Sequence, residues 1–460
     1  MTPLADLFPE IYRYRAQETG RVKLLSSLAA ALALCAATGY AVAKTTATWG
    51  SYLTVVTYMQ FLALVFYGAV CTARCVTQER AERTWDFQRL TPLSSFELAA
   101  GKFLGAPVFP WFLFACLVPA SLLPLVFSPG VYGDFLSRYA LGLPVALLTM
   151  AVGLLASAYD ETGGSGMGHL SGPLIGLAGV TTLNSAFKYA DMLGNPFQPL
   201  ISFYGQRLGP VPSVLFLSAT FLAFGACAFL GARYRIGRDL LERKRAWRLP
   251  AFLVFLAWYI TGFEYSAPRN TSLPLTALIL PGLAAYIASF LSCERREYWR
   301  RWLVGENPER RLDDTPAWLK GAVPMLGIAV VLYFVYGLGA QEEVKAQGRL
   351  YLILPLFLLR DLMFLQWCRF SASRRPEMMA LAYLAMAYAL PLIILLPAQM
   401  TRALPAFVPY ANGELGAAAN LAGPLAQVLA MAYLLRAKIK AALADKARRF
   451  SGSGAARIFL

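Results

Sequence analysis

Two side chains attract attention because of where they sit. Arg360 and Asp361 are neighbours inside the apolar stretch 350–369, where an ionised group is costly and must face protein, water or another charge. Such a pair could form an ion relay or a structural tie between helices. Because successive helical residues point about 100° apart, each should find a partner on a different segment. Other candidates for chemistry are weaker. Cys71 and Cys75 lie one helical turn apart but have no second pair, and the seven cysteines, nearly all in or beside apolar stretches, show neither zinc spacing nor a disulfide framework. His169 is the only histidine, which excludes histidine-cluster metal sites and two-histidine catalysis. Gly163 to Gly168 looks like a phosphate cradle, yet no strand precedes it and no lysine follows. Gly101-Lys102 lacks the upstream glycine of a phosphate loop. No catalytic, cofactor or metal site is therefore expected on this chain.

A second kind of chemistry, recognition by charge and aromatic surface, is concentrated in one connection. It reads Gln78-Glu79-Arg80-Ala81-Glu82-Arg83-Thr84-Trp85-Asp86-Phe87-Gln88-Arg89-Leu90-Thr91-Pro92-Leu93, too long and too aromatic for a plain loop. As a helix over Glu79 to Leu90 it would gather Trp85, Gln88 and Arg89 at three- and four-residue spacing and pair Glu79, Glu82 and Arg83 on a polar face. Pro92 ends it. Ser94-Ser95-Phe96-Glu97 then has the form of a capping box that restarts a helix through Gly101-Lys102.

The elements that must position these residues are membrane helices. Hydrophobic residues are 58% of the 460 positions and charged ones 15%, too little polar surface for a soluble chain of this length. About twelve apolar stretches are long enough to cross a bilayer: 24–43, 51–73, 103–127, 139–159, 167–186, 212–232, 249–265, 272–292, 320–340, 350–369, 377–397 and 414–435. The fold class is thus an all-α polytopic membrane protein. The net charge of +16 would suit nucleic acid, but the basic residues cluster in alternate connections, above all 233–248, 295–320 and 436–457, as the positive-inside rule requires. The bilayer, not a nucleic acid, is the partner this charge implies, and both termini are expected in the cytoplasm. Ala41-Val42-Ala43 imitates a signal-peptidase site, but the long basic and aromatic segment before it favours a retained first helix.

The chain also repeats. Arg13-Tyr14-Arg15 precedes the first span and Arg233-Tyr234-Arg235 the seventh, while Glu79-Arg80-Ala81-Glu82 follows the second span and Glu294-Arg295-Arg296-Glu297 the eighth. The pattern indicates two parallel six-helix halves, 1–235 and 236–436, followed by a basic tail, 437–460.

Around the first charged connection the chain resembles the membrane subunits of ABC-2 type exporters, whose pattern approximates E-R-E-x-G-T-L-E-L-L, then T-P-L-S, E-L and G-K. The matches are Glu79, Arg80, Thr84, Thr91, Pro92, Leu93, Ser94, Glu97, Leu98, Gly101 and Lys102, with Asp86 for the second acidic residue. Arg83 stands where the family usually has glycine and Trp85 where it has leucine. The resemblance implies a coupling helix in which Glu79, Arg80, Glu82, Arg83, Thr84, Trp85 and Asp86 dock a separate ATPase subunit, two copies of which would carry the ATP and magnesium. It further implies amphipathic elbow helices at Pro9 to Lys23, with Ile11 and Tyr12 on the apolar side, and at Arg233 to Trp247, with Leu240 and Leu241. The second half would use Glu294, Arg295, Glu297 and Trp299, although its T-P-L-S turn is missing. On this reading the chain is an export permease of a bacterial inner membrane, a fused pair of halves or a homodimer with accessory subunits, and its greasy spans suit a lipidic or amphipathic cargo. The alternatives are an ion-coupled secondary transporter built on Arg360 and Asp361 and a membrane assembly scaffold.

Overall fold

The computed structural model describes residues 10–11, 13–14, 20–44, 48–160, 166–192, 201–240, 242, 247–264, 275–291, 302, 315–337, 342–370 and 376–451. The chain divides into two compact units, Met1–Ile201 with Arg207–Lys244, and Ser202–Gln206 with Arg245–Leu460.

The first unit contains α1 (Arg21–Lys44), α2 (Trp49–Ala81, with a π-helical turn over Ala63–Tyr67), α3 (Trp85–Arg89), α4 (Ser95–Gly105), α5 (Val108–Phe127), α6 (Tyr132–Tyr159), α7 (Gly166–Met192) and α8 (Pro210–Asp239). The second contains α9 (Arg248–Glu264), α10 (Thr276–Leu291), α11 (Ala317–Leu332), α12 (Glu342–Arg369), α13 (Pro376–Leu395) and α14 (Ala417–Ser451). A short two-stranded ribbon pairs Ser202–Phe203 with Gln206–Arg207.

Every expected span meets a helix. Among the described residues nine helices are long and apolar enough to cross a membrane: α1, α2, α5, α6, α8, α11, α12, α13 and α14. Two more, in α9 and α10, are apolar but shorter. The protein is an all-α, multi-pass membrane protein. Apolar side chains such as Leu25, Leu381 and Ile393 point outward along these helices, a face that water would penalise and lipid accepts.

Lipid supplies no hydrophobic drive between helices, so close packing and polar ties hold them together. In the first unit Phe61, Leu64 and Val65 of α2 meet Leu141, Val145 and Met150 of α6 and Leu183 and Phe187 of α7. Gly142 permits this approach, since a Cβ there would stand 2.8 Å from the Phe61 ring. Gln60 of α2 donates to the Phe114 carbonyl of α5 (3.1 Å) and accepts from Tyr139 of α6 (2.8 Å). The core of the second unit joins Leu253, Leu278, Ala285, Trp318, Met325, Tyr351, Leu358, Leu362 and Leu435.

Four boundaries depart from the sequence reading. The third span starts at Val108, because Ser95–Gly105 forms its own helix before a break at Pro107. Residues 233–239 are the last turns of α8, not a separate elbow helix, and the described part of the basic tail continues α14 as far as Ser451. Glu79 to Leu90 is not one helix: Glu79 to Ala81 end α2, a turn intervenes, and only Trp85–Arg89 is helical beyond it.

Candidate functional site

The turn after α2 is set by backbone hydrogen bonds. The Thr84 N–H donates to the Glu79 carbonyl (2.9 Å) and the Arg83 N–H to the Arg80 carbonyl (3.2 Å), the paired bonds of a Schellman helix end, which needs a left-handed residue one position past the cap. Arg83 occupies that position with φ 58°. This is where the resembling family carries glycine, the residue that adopts such a φ without steric cost. Next, α4 begins on the expected capping box: Ser94 Oγ accepts from the Glu97 N–H (3.3 Å), and the Glu97 carboxylate accepts from the Ser94 N–H (2.8 Å). The Ser94 N–H and, beside it, the Ser94 hydroxyl (2.8 Å) both donate to this carboxylate and hold the Glu97 carboxyl below the usual range.

Behind the turn lies a buried ionic hub. The Glu79 carboxylate accepts from Lys102 Nζ of α4 (2.5 Å), from Gln88 Nε2 of α3 (2.9 Å), from the Tyr14 hydroxyl (3.3 Å) and from Arg13. Glu10 completes it, 2.8 Å from Arg13 and 3.7 Å from Lys102. Two carboxylates thus face two cations, and Lys102 is fully buried at 0% exposure. Its ammonium also stands 5.4 Å from the centre of the Trp85 ring. Burial opposes the Arg13 charge, but the Glu79 bond and charge outweigh it and raise its pKa. Burial foremost, then the Cys75 thiol and Glu79, pushes the Tyr14 hydroxyl well above its ordinary value, so it serves as a neutral donor. Gly101 and Gly105 let Glu10, Ile11 and Tyr14 lie directly on α4: a Cβ on the first would stand 2.6 Å from Glu10 Cβ, and on the second 3.2 Å from Ile11 Cα.

Further ties bind the same corner to α6 and α8. Arg80 donates to Asp239 (2.8 Å) and to the carbonyls of Ala158 (3.1 Å) and Asp160. Arg89 donates to the Asp239 carbonyl (3.1 Å), and Ser95 donates through N–H and hydroxyl to Glu242 (2.8 and 2.6 Å).

The residues expected to dock a partner therefore separate into two sets. Glu79 and Trp85 are buried within this chain, Trp85 at 5% exposure, and Arg80 and Thr84 are half-buried. Glu82, Arg83 and Asp86 are exposed as expected. The apolar side chains presented outward are Phe87 and Leu90, 75% and 84% exposed. Glu10, Arg13, Gln88 and Lys102 belong to the hub and were not assigned that role from sequence. A lone lysine following glycine near the start of an apolar run was the available signal. Glu294, Arg295, Glu297 and Trp299 lie outside the described residues.

The pair in α12 forms a second polar cluster, within the second unit. Arg360 Nε donates to Asp361 Oδ1 (2.6 Å) and Nη1 to Gln427 of α14 (2.5 Å). Gln427 in turn donates to the Ala406 carbonyl (2.5 Å). Tyr286 of α10 and Tyr388 of α13 both donate to Asp361 Oδ2, the second at 2.5 Å. Each member thus has a partner on another helix, and Arg360 lies 4.6 Å from the Phe357 ring centre and 4.9 Å from that of Tyr388. Cavities of 440 and 230 Å³ adjoin the cluster, the first touching Arg360 and Gln427, the second touching Tyr286 and Tyr388.

Neither region sets a nucleophile beside a base. Among the described residues no group of three or more His, Cys, Asp or Glu side chains could hold a metal ion. No protein-family model, curated protein or solved structure matches the chain.

Proposed function

We propose that the chain is the membrane subunit of an ABC-2 type exporter, with residues 82–90 as the tip that docks a separate ATP-hydrolysing subunit. The observation that carries this reading is the exposure of Phe87 and Leu90 on a short charged helix whose inner side is tied into an ionic hub. Apolar anchors ringed by Glu82, Arg83, Asp86 and Arg89 have the anatomy of an interface core with a polar rim. The hub ties α3 to α2 and α4, so a push on the tip moves the helices that enter the bilayer. A left-handed Arg83 at the family's glycine position supports the same reading.

In this proposal twelve spans make two six-helix halves in a bacterial inner membrane, with both termini cytoplasmic. Two copies of the ATPase hold ATP and magnesium, and the cargo is lipidic or amphipathic. Glu10, Ile11 and Tyr14, lying on α4, belong to the first elbow, and Glu294 to Trp299 to a second docking segment.

The test is purification of the intact chain from native membranes, with bound ATPase identified by mass. Phe87→Asp with Leu90→Asp should abolish ATPase association while leaving the thermal midpoint of the purified chain unchanged. An ATPase retained by the double variant, or none bound to the unaltered protein, overturns the proposal.

A second reading is favoured by one observation, the 1% exposure of Asp361 beneath two tyrosine hydroxyls. It makes the chain an ion-coupled transporter, whose transport persists without ATP and stops when an ionophore collapses the gradient.

A further inference from the structure

We propose that the outward face of α14 binds an anionic phospholipid, its phosphate held between the Arg436 guanidinium and the Lys440 ammonium and an acyl chain running along Leu429 and Leu425. The face is continuous. Leu425, Leu429, Tyr433, Arg436 and Lys440 follow one another at four- and three-residue spacing, so they share one side of the helix. All five are exposed, Leu429 at 69% and Tyr433 at 74%. The opposite side belongs to the protein: Val428, Met431, Leu435 and Ile439 pack into the core of the second unit, and Lys438 lies 5.4 Å from the centre of the Trp367 ring.

Depth matches each residue to a part of the lipid. From Ala417 to Leu435 the helix carries no charged residue, a length of about 28 Å at 1.5 Å per residue, which fills a hydrocarbon core about 30 Å thick. Arg436 therefore stands at the edge of that core and Lys440 about 6 Å farther out, among the headgroups. Leu425 lies about 17 Å inward of Arg436, the depth of one leaflet's acyl chains. Tyr433 falls between them, at the level where tyrosines gather in membrane proteins, and its hydroxyl can donate to a glycerol ester carbonyl.

Open donors select the charge of the occupant. Among the described residues Tyr433, Arg436 and Lys440 make no hydrogen bond or ion pair, and all three side chains are exposed. Like charges one helical turn apart repel, and a phosphate between them replaces that repulsion with two charge-assisted hydrogen bonds. Beyond Lys440 the sequence adds Lys446, Arg448, Arg449 and Arg457 against a single acid, Asp445. A zwitterionic lipid brings its own cation into this positive field, whereas an anionic headgroup brings none. The inference stands apart from the permease reading and needs no ATPase.

The experiment is native mass spectrometry of the full-length protein, released from detergent micelles that contain equal amounts of phosphatidylglycerol and phosphatidylcholine. The unaltered chain should retain phosphatidylglycerol about tenfold more often than phosphatidylcholine, as two cations beside an anionic headgroup imply. Arg436→Gln with Lys440→Gln should bring the two lipids to equal retention, while Lys438, Lys446, Arg448 and Arg449 remain to hold the helix orientation. Lys188→Gln with Arg402→Gln removes the same charge from exposed positions elsewhere and should keep the preference, as should Arg436→Lys. Equal retention by the unaltered chain, or a preference lost alike in both double variants, overturns the proposal, because the basic residues then act only through topology or net charge. In the unaltered chain, raising the ammonium acetate concentration should erase the preference; a preference indifferent to salt overturns the proposal without recourse to any variant. Release of phosphatidylglycerol by excess inorganic phosphate also overturns it, since the site then takes an ion and not a lipid.

Discussion

Arg83 offers the sharpest test of how the turn after α2 is built. It sits at φ 58°, and a left-handed backbone costs a residue with a Cβ about 1–2 kcal/mol. Its side chain is exposed and takes no part in a hydrogen bond or ion pair among the described residues, so replacement removes no contact. Arg83→Gly relieves the strain but loosens the unfolded chain, a penalty of about 0.4–1 kcal/mol. The net is a stabilisation of about 0.5–1 kcal/mol. For a folding unit of roughly 240 residues this raises the melting temperature by about 2 °C. Arg83→Val, β-branched and ill-suited to this φ, should lower it by a comparable or larger amount. Tryptophan fluorescence during heating reads both directly, with Trp85 beside the turn as a local reporter. If the glycine variant melts below the parent, or glycine and valine variants melt together, the helix end is not the Schellman turn and the tip is not positioned as described.

The remaining expectations concern the supports of that tip. Glu79→Gln and Lys102→Met should each destabilise the first unit by about 3–5 kcal/mol, because each strands a buried charge, while the double variant leaves Glu10 and Arg13 paired and recovers most of the loss in a thermal-melt cycle. Gly101→Leu should separate the segment 10–14 from α4, and limited proteolysis should then cut it at a protease concentration that leaves the parent intact. The Glu97 carboxyl, lowered by its capping bonds, contributes stability that is present above its unfolded value near 4.5 and lost as pH falls through the folded value. The pH dependence of melting in Glu97→Gln should be flatter below that point than in the parent.

Much of the architecture was legible because a bilayer leaves few choices: stretches near 20 apolar residues must be helices, and each expected span meets one. The capping box at Ser94 was equally readable, since its two bonds are local. The course of Glu79 to Leu90 was not. Its periodicity fits a single amphipathic helix, yet Glu79 is claimed by Lys102, 23 positions onward, and by Arg13, 66 positions back. Tertiary ion pairing overrides local spacing, and α2 stops where that pairing needs it to. Trp85 misled for a related reason. An aromatic residue amid charges suggests a protruding anchor, but its ring is turned inward against Lys102 and Arg80, leaving Phe87 and Leu90 outside. For Arg360 and Asp361 the cost of charge in lipid foretold partners on other helices, but nothing in the order of residues singled out Tyr286, Tyr388 and Gln427.

Under the permease function proposed above, an ionic hub, where apolar packing would have been simpler, follows from what a docking tip would have to do. Helices in lipid are held by contacts that permit sliding and rotation, because no hydrophobic force opposes small shifts of one apolar surface over another. A tip that transmits force must be fixed in register with the helices behind it. Directional bonds to a buried carboxylate do this: Glu79 accepts from α3, α4 and the segment 10–14 at once, so none of them can shift without stranding a charge. The cost in desolvation is repaid in registry rather than in stability. It follows that the Glu79→Gln, Lys102→Met double variant, with its melting temperature largely restored, should still bind ATPase through Phe87 and Leu90 but lose coupling of ATP hydrolysis to transport in reconstituted vesicles. Full coupling in that variant would mean the hub only stabilises the fold, and that force reaches the membrane helices by another route.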